Sequence, residues 1–558
     1  MRRVNIVGAG LAGLSAAITL GSQGYACNLI SIQNSERAQS VLAEGGINAA
    51  LDTMGEKDTI MNHYEDTMRG GCDLADPAAV EGLTGGAPET VRWLADLGVP
   101  FHMENGKIIL RNFGGQKKKR TVYAKSSTGK VIVSALIDEV RKYENVDLIR
   151  RYPHHEFIRL LMDEEKGTGI CSGLRIKDMF SGRLYDCPGI VLLATGGMSG
   201  IFPEMTTGTV MNTGDVTATV FAQGVTLSNL EMIQYHPTTI GISGKRLLVT
   251  EAARGEGGRL CVKRNGQWWY FMEELYPELK NLMPRDVVAR EMYRAVRRED
   301  CENQVYLDMT GLSRETWTHK LPDMRKELMD YLGMDPAKKR IPVEPGIHYF
   351  MGGIDVDCYH RTNLKNLYAA GECTSQYHGA NRLGGNSMLG AVYGGKRAAN
   401  HILKSVGWVD EIYQENLLQN ENQTEGTVRE VRKKPEVDWE ENITEVPMER
   451  SDAIEELYEK KASPAFIKKE SHVLLKGLGI VRSEEQLQDA CRELSELKND
   501  AGCIREKNRL LLGQAMLESA LFRKESRGAH FREDYPNRVD AYQKMILASY
   551  KDGKVELE

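Results

Sequence analysis

The sequence has no apolar run long enough to cross a bilayer and no excess of positive charge. Its 558 residues include 72 lysines and arginines against 78 acids, a net charge of -6, which gives no electrostatic footprint for nucleic acid. Glycines interrupt the apolar residues that follow two N-terminal arginines, and no stretch approaches the roughly 20 residues of a membrane span. We therefore expect a cytoplasmic protein that does not bind nucleic acid and has no direct membrane span.

The cysteines also lack a pattern. Ten are scattered along the chain, and none has the short C-x-x-C spacing typical of zinc or iron-sulfur sites. We expect buried, reduced thiols and no metal site. Any iron-sulfur cluster must then belong to another chain.

The length and composition indicate several ordinary globular domains. A chain of 558 residues exceeds the roughly 250 to 300 residues at which single cores stop growing. With 41% hydrophobic and 27% charged residues, the composition is that of a globular protein. Two or three domains are therefore expected.

The N-terminus predicts a dinucleotide-binding unit. A β-branched run at residues 4–7 ends in a turn containing Gly8, Gly10 and Gly13, and helix-forming residues follow. A second apolar run at residues 27–32 completes a strand-helix-strand unit. The glycines let backbone amides approach a pyrophosphate at the start of the helix.

One part of the usual dinucleotide pattern is missing. An acidic residue commonly ends the second strand and binds a ribose. Here Ser31 and Gln33 stand in that region. This departure argues against an ordinary NAD site.

Later segments predict that the nucleotide domain is interrupted. The segments GIVLLATGG and NLYAAGE repeat the strand-then-glycine character, so an insertion lies between them. A polar stretch follows Leu403, and helical spacing with a start signal at Ser483 predicts helices near the C-terminus. The predicted fold is α/β, a Rossmann-like domain with an inserted α+β capping domain and a C-terminal helical domain. Its predicted boundaries are 1–225 and 346–405 for the nucleotide domain, 226–345 for the cap, 406–450 for a linker and 451–558 for the helical domain.

Seven motifs carry a resemblance to a known family. In chain order they are QSVLAEGGINAAL (39–51), NTGDVTA (212–218), QYHPTT (234–239), TEAARGEGG (250–258), MPRDVVAR (283–290), HYFMGGI (348–354) and GECTSQYHGANRLGGNSM (371–388). The chain resembles the flavoprotein subunit of the fumarate reductase and succinate dehydrogenase family. RKESRGAHFREDYP (523–536) also resembles the C-terminal domain of that family, so the likeness covers nearly the whole chain.

The resemblance implies FAD as the cofactor and a C4 dicarboxylate as the substrate. Hydride transfer between the flavin and one alkene carbon, with proton transfer at the other, would interconvert fumarate and succinate. Arg285 resembles the proton donor, and Glu251 and Arg254 resemble its relay to solvent. A guanidinium normally keeps its proton, because its pKa lies above about 12, and reprotonation through the relay lessens that difficulty.

The resemblance also assigns binding residues. His236, Thr250, His348 and Arg382 are residue types that hold carboxylates, and Phe113 resembles an aromatic wall over the substrate. The Gly45–Gly46 turn would lie against the flavin ring, because glycine permits close approach. The residues expected to bind FAD are Gly8, Gly10, Gly13, Ser31, Ser40, Gly45, Gly46, Asp215, Glu372, Arg382, Ser387 and Met388.

One departure from the family pattern concerns the flavin linkage. In membrane-bound members a histidine five residues before the acid or amide of the A-E/Q-G-G motif carries a covalent flavin, and Gln39 stands there in this chain. An amide cannot form that bond, so we expect noncovalent FAD.

Two alternative activities stay open. L-aspartate oxidase shares most of the motifs, although HYFMGG and NRLGGNSM are closer to the reductase forms than to the oxidase forms HYTCGG and NRMASNS. A reductase of another enoate is the other alternative. Because the chain shows no haem-attachment motif and no FMN domain, electrons must come from outside, from an iron-sulfur or other donor protein or from free reduced flavin.

Overall fold

The computed structural model describes residues 1–124, 127–163, 169–242, 244–408, 439, 443–446 and 460–558. Most of the predicted linker 406–450 and the first residues of the predicted helical domain lie outside these described residues. Elements are labelled in chain order. Within the described ranges, no helix is both long and apolar enough to cross a bilayer.

A five-stranded parallel sheet contains the N-terminal strand at its centre. All its strand pairs are parallel, and Val7 pairs with Leu193, which in turn pairs with Ala369. The glycine turns that follow these three strands therefore lie at one edge of the sheet. The predicted Rossmann-like sheet is confirmed. In spatial order its strands are β21 Leu367–Ala369, β12 Val191–Leu193, β1 Val4–Val7, β2 Cys27–Ser31 and β8 Ile149–Pro153.

Helix α1 (Leu11–Ser22) follows the first glycine turn and is buried along almost its entire length. It packs between α5 (Thr128–Glu144) and α11 (Asn386–Ser405). A Cβ atom added at Gly13 would lie 1.8 Å from the carbonyl oxygen of Gly8. Gly13 therefore permits the close packing of helix and turn.

The segment between the sheet strands β12 and β21 contains a second, antiparallel sheet. Its two central strands pair side by side, with Tyr235 opposite Ile347 and His236 opposite Gly346. The strand that carries His348 runs on to Phe350, beyond the predicted domain boundary at 345. In spatial order the six strands are β15 Lys245–Leu248, β14 Ile233–Ile242, β19 Ile341–Phe350, β18 Cys301–Asp308, β16 Arg259–Arg264 and β17 Gln267–Trp269.

Four helices accompany this antiparallel sheet, and a separate hydrophobic core lies between the helices and the sheet. The segment is therefore the α+β cap that the sequence predicts. The helices are α7 Ala252–Gly255, α8 Phe271–Leu275, α9 Arg285–Ala295 and α10 Pro322–Leu332.

The C-terminal region is helical at first and then ends in a hairpin that the sequence analysis did not anticipate. Ser463 and Ser483 cap helices by accepting hydrogen bonds from Phe466 N and Gln486 N, which confirms the predicted start at Ser483. The hairpin pairs with a short strand near residue 227. The elements are α12 Pro464–Gly477, α13 Glu484–Glu496, α14 Ile504–Phe522, β23 Leu547–Lys551 and β24 Lys554–Leu557.

Buried ion pairs fasten the C-terminal region to the rest of the chain. Arg523 donates to Glu231 at 2.6 Å and to Glu525 at 3.1 Å, and all three side chains are fully buried. Arg527 donates to Glu525 and to the carbonyl oxygen of Cys72. Because removing one partner would leave a buried charge uncompensated, these contacts hold the region in one position.

The remaining elements complete the layers around the parallel sheet. The further helices are α2 Ile60–Gly70, α3 Pro77–Gly85, α4 Ala87–Asp96 and α6 Asp215–Ala222. The further strands are β3 Ile47–Asn48, β4 Met103–Glu104, β5 Lys107–Ile108, β6 Leu110–Arg111, β7 Thr121–Val122, β9 His155–Met162, β10 Cys171–Asp178, β11 Leu184–Pro188, β13 Leu227–Ser228, β20 Gly353–Ile354 and β22 Thr444–Glu445.

Candidate active site

A cavity of about 1280 Å³ lies where the glycine edge of the parallel sheet faces the cap. Helix α10 of the cap contributes one wall, and the C-terminal region also lines the cavity through Lys461, Ala462, Ile467 and Arg505. Ligand sites of open α/β sheets lie at this edge, outside the carboxyl ends of the strands. The volume exceeds that of an ordinary small-ligand pocket, which reaches about 1000 Å³.

The glycine turn after β1 leaves backbone exposed to the cavity. Gly8 has a φ of +114°, and a Cβ atom there would lie 2.1 Å from the carbonyl oxygen of Ala194. Ser40 accepts a hydrogen bond from the amide of Leu11 at the start of α1. The bare turn at a helix N-terminus suits a pyrophosphate, so the residues present fit a dinucleotide cofactor.

The structure brings the residues predicted to bind the cofactor into this one cavity, with one exception. Gly13 packs against Gly8 and does not line the cavity. Those that line the cavity are Gly8, Gly10, Ser31, Ser40, Gly45, Gly46, Asp215, Glu372, Arg382, Ser387 and Met388.

Glu251 is buried at the centre of the predicted proton relay. Its Oε2 accepts hydrogen bonds from Arg285 Nε at 2.9 Å and Nη2 at 2.6 Å, and its Oε1 lies 3.5 Å from Arg254 Nη2. Burial alone would raise the pKa of Glu251, but the two guanidinium groups outweigh it and lower the pKa to about 2. Glu251 is therefore ionised near neutral pH.

Arg254 is the inner part of this chain of charges. Only 2% of its surface is exposed, and it does not line the cavity. Its Nη1 donates to the carbonyl oxygen of Asn281 at 2.7 Å. The three predicted catalytic residues are thus in direct contact. Of the two arginines, Arg285 lines the cavity and Arg254 does not.

Gln234 joins the two arginines that face the cavity, a role that the sequence analysis missed. Its Oε1 accepts from Arg285 Nη1 at 3.0 Å and from Arg382 Nη2 at 3.1 Å. Its Nε2 donates to Asn381 Oδ1 and to the carbonyl oxygen of Arg382. Strand alternation could have indicated Gln234. It lies two residues before His236 on β14, and residues two apart in a strand point to the same face.

Two histidines lie together on the neighbouring strands β14 and β19. The rings of His236 and His348 are 5.2 Å apart between centroids, and His348 Nδ1 lies 2.8 Å from Thr207 Oγ1. Burial and the nearby Arg285 hold the pKa of both histidines well below the usual value. Both are therefore neutral near pH 7 and can donate a hydrogen bond from only one ring nitrogen each.

Phe113 and Thr250 also lie where the sequence predicts a substrate. Both line the cavity. A Cβ atom at Gly45 would lie 3.3 Å from the Phe113 ring, so this ring packs on the turn that is expected to face the flavin. The five predicted substrate residues, His236, Thr250, His348, Arg382 and Phe113, therefore share one cavity with Arg285.

Cations outnumber anions at this end of the cavity. Arg254, Arg285 and Arg382 surround a single carboxylate, Glu251, so these four side chains carry a net charge of +2 with neutral histidines. Burial and Arg285 lower the pKa of Arg382 to about 9, which leaves it charged at pH 7. Among the described residues, Arg382 Nε has no hydrogen-bond partner. The site therefore has uncompensated positive charge and an unused donor.

Two further acids line the cavity with unusual protonation. Enclosure raises the pKa of Glu44 to about 8, with a contribution from Glu327 and Asp323 of helix α10. Burial raises the pKa of Glu372 to about 7, although it accepts a hydrogen bond from Phe350 N. Glu44 is therefore mostly protonated at neutral pH, whereas Glu372 is about half ionised and offsets part of the positive charge near Arg382.

Comparison with known proteins agrees with this geometry. A sequence profile described as "FAD binding domain" matches residues 3–388, and one described as "Fumarate reductase flavoprotein C-term" matches residues 501–558. The chain belongs to the succinate dehydrogenase and fumarate reductase flavoprotein family. FAD is its cofactor, and the chain is an FAD-dependent oxidoreductase.

Relatives in this flavoprotein family match the chain over nearly its full length. The succinate dehydrogenase flavoprotein subunit of Bacillus subtilis is 34% identical, covering 96% of this chain and 91% of its own. L-aspartate oxidase 2 of Ralstonia nicotianae is 31% identical, with 97% and 93% covered. A solved E. coli quinol fumarate reductase chain has a TM-score of 0.82 at 28% identity and covers 100% of this chain and 96% of its own.

The position that departs from the family pattern has a defined contact. Gln39 lines the cavity, and its Oε1 accepts a hydrogen bond from the amide of Thr209. The neutral amide thereby joins the segment after β2 to the segment before α6. Gln39 thus serves in the wall of the flavoprotein cavity as a hydrogen-bond acceptor.

Replacing Glu251 with glutamine should destabilise the protein. Arg285 and Arg254 would lose their buried counter-ion, which typically costs about 3 to 5 kcal/mol of unfolding free energy. Because the folded pKa of Glu251 is about 2 against an ordinary 4.5, its contribution is complete above pH 4.5 and is lost as the pH falls towards 2. Urea denaturation across this range should show the difference between variant and wild type shrinking.

Glu273→Gln is the matched control for this prediction. Glu273 also binds an arginine through two hydrogen bonds, but Arg259 is 44% exposed. Its loss should cost no more than about 1 kcal/mol. Equal losses for the two variants, or a difference that stays constant with pH, would contradict the role of Glu251.

Proposed function

We propose that the chain reduces fumarate to succinate, or catalyses the reverse reaction, as an FAD-dependent enzyme. The observation that carries this proposal is the net charge of +2 around Glu251, at the cavity end that faces the cap. A dicarboxylate dianion complements that charge, whereas a monocarboxylate would leave one cation uncompensated. The names of the relatives support the same reaction class.

Four side chains hold the two carboxylates in this proposal. Arg382 offers its unused Nε, and His236, His348 and Thr250 offer neutral donors. A bound dianion would favour the charged form of the histidines, so binding should be accompanied by proton uptake. Phe113 closes the site over the alkene and excludes water. FAD, when bound, would supply the hydride chemistry.

Arg285 is the proton donor in this proposal. Two of its nitrogens are fixed on Glu251 and a third on Gln234, which orients the remaining N–H bonds. It is the first residue of α9, so the helix fixes the base of its side chain. The fixed guanidinium holds a proton ready for transfer to the substrate carbon.

Glu251 reloads Arg285 after the transfer. The low pKa of Glu251 depends on two charged arginines, so the loss of the Arg285 proton removes one of them and raises that pKa. Glu251 then takes a proton from the side of Arg254 and passes it to Arg285. Arg254 Nη2, which lies 3.5 Å from Glu251 Oε1, supplies this proton and regains one from solvent.

Electrons enter from a separate donor in this proposal. The sequence offers no haem or FMN site, and relatives of the chain are flavoprotein subunits. An iron-sulfur protein or another electron-donor partner fits this arrangement, in a cytoplasmic setting. FAD itself is held without a covalent bond, because Gln39 replaces the family's flavin-linked histidine.

The purified protein with reduced viologen should reduce fumarate. Crotonate or acrylate should react at least about 100-fold more slowly, because removing one charged partner from a desolvated carboxylate costs about 2 to 5 kcal/mol. Succinate and malonate should inhibit competitively. The measurement is viologen oxidation with each substrate.

The same panel separates the alternatives. Peroxide formed with L-aspartate, without fumarate turnover, would identify an L-aspartate oxidase. Equal rates with fumarate and crotonate would identify a reductase of broader enoate specificity.

Arg285→Ala should retain the flavin spectrum and lower turnover by at least about 100-fold, the lower end of a general acid contribution. Arg294→Ala on the same helix is the control, because Arg294 is half exposed and pairs with Glu291 away from the cavity. Stopped-flow reoxidation of reduced protein by fumarate measures the step. Near-normal turnover in a folded, FAD-loaded Arg285→Ala variant would exclude the proton-donor role.

Acid denaturation should release all the FAD into the supernatant, because Gln39 cannot form the histidyl linkage. The measurement is the absorbance of supernatant and pellet after precipitation. Yellow chromophore that stays with the washed pellet would show a covalent bond through some other residue.

A further inference from the structure

The end of strand β2 lacks the carboxylate that a dinucleotide fold normally offers to a ribose. The strand ends at Ser31, whose hydroxyl donates to the carbonyl oxygen of Gln33. The next acid, Glu36, is exposed and does not line the cavity. If a ribose binds here, its acidic partner must come from another part of the chain.

The fold places Glu156 close to the end of β2. Ser31 pairs with Pro153 across the sheet, and Glu156 follows shortly afterwards in β9. The carboxylate of Glu156 binds Arg505 Nη1 at 2.5 Å. The same Nη1 lies 3.8 Å from Asp215 Oδ2. These three side chains line the cavity, so Asp215 lies near the end of β2 as well.

Arg509, one turn after Arg505 in helix α14, also contacts Asp215. Arg509 Nη1 donates to Asp215 Oδ1 at 2.9 Å and to the carbonyl oxygen of Thr213 at 2.7 Å. Its Nε and Nη2 donate to Glu470 at 2.9 and 2.6 Å. Residues four apart share a helix face, so Arg505 and Arg509 act together.

Burial separates Asp215 from Glu470, the other carboxylate that Arg509 binds. The side chains of Arg509 and Glu470 are 1% and 0% exposed, whereas that of Asp215 is 20% exposed and faces the cavity. A carboxylate has about four acceptor positions, so the contacts with the arginines leave room for hydroxyl donors. The cluster therefore leaves two carboxylates, Asp215 and Glu156, at the ligand space, and of these only Asp215 contacts both arginines.

We propose that Arg505 and Arg509 are positioning residues that fix Asp215 as the carboxylate for the ribose end of FAD. The C-terminal helical region is then a part of the cofactor site. This inference rests on the assignment of Asp215 to FAD, and it does not depend on which substrate the enzyme reduces. By linkage, FAD binding and docking of the C-terminal helices stabilise each other to the same extent.

The test is the affinity of apoprotein for FAD, followed by quenching of flavin fluorescence. Arg509→Met should weaken FAD binding by about 10-fold or more, the usual effect of removing the group that orients a ligating side chain. The affinity for ADP should fall by a similar factor, because ADP carries the ribose end alone. Arg492→Met is the control and should not change either affinity, since Arg492 forms an exposed pair with Asp489.

A double-mutant cycle separates positioning from general destabilisation. In an Asp215→Asn background, Arg509→Met should weaken FAD binding by less than about 3-fold further, because the carboxylate that it orients is already gone. Arg509→Lys retains the charge but cannot reach Thr213, Asp215 and Glu470 together, so it should be intermediate. If Arg509→Met does not fold, Arg509→Lys and Arg505→Met are tested in the same cycle.

Unchanged FAD and ADP affinity in the folded Arg509 variants would overturn the proposal. Fully additive losses with Asp215→Asn would also overturn it, because they indicate a general effect on the fold. Protease protection of the C-terminal helices by FAD is a further readout, expected in wild type and reduced in Arg509→Met. If the protein does not reduce fumarate but the Arg509 and Asp215 substitutions remain coupled in FAD binding, only the proposed reaction is refuted.

Discussion

The charge balance around Glu251 is the constraint on which the rest of the site depends. Three buried arginines would repel one another without an anion among them, and Glu251 supplies the one that the cluster contains. Because compensation is partial, the cluster keeps positive charge that a substrate can neutralise. Protein stability and substrate binding therefore both depend on the excess positive charge of this cluster.

The two domains contribute different parts of this cluster. Glu251, Arg254 and Arg285 come from cap helices or their starts, whereas Arg382 precedes helix α11 of the nucleotide domain. Gln234 joins Arg285 and Arg382 across the boundary. Because Gln234 lies on β14 of the cap, separation of the domains would leave it bonded to Arg285 and would remove only Arg382 from the cluster.

The sequence was sufficient to predict features that depend on local pattern. Strand-then-glycine segments predicted the parallel sheet, because glycine turns at the ends of parallel strands let the backbone approach a ligand at one sheet edge. Motifs of six to eighteen residues predicted catalytic and binding side chains, and the structure brings most of them to one cavity, because each motif keeps neighbouring groups at a fixed spacing. Spacing placed Gly13 in the glycine turn but did not show that it packs against Gly8 outside the cavity lining.

Features that depend on long-range contacts were not predictable from one sequence. Arg509 and Asp215 are 294 positions apart, and no periodicity connects them. The C-terminal hairpin pairs with β13, and such pairing is decided by which strand edge is available, a property of the folded chain. Gln234 lay inside a recognised motif, yet its role depends on two arginines from other segments.

The order of strands in the parallel sheet has a consequence for how the chain is made. Strands β1 and β2 leave the ribosome first, but β21, which completes the sheet, follows more than three hundred residues later. The strand that waits for β21 is β12, its neighbour in the sheet, and at about 5 to 20 residues per second the wait is on the order of tens of seconds. During this time the open edge of β12 is exposed to other nascent chains. Chaperone occupancy during translation should therefore concentrate on β12 and decline once residue 369 has emerged.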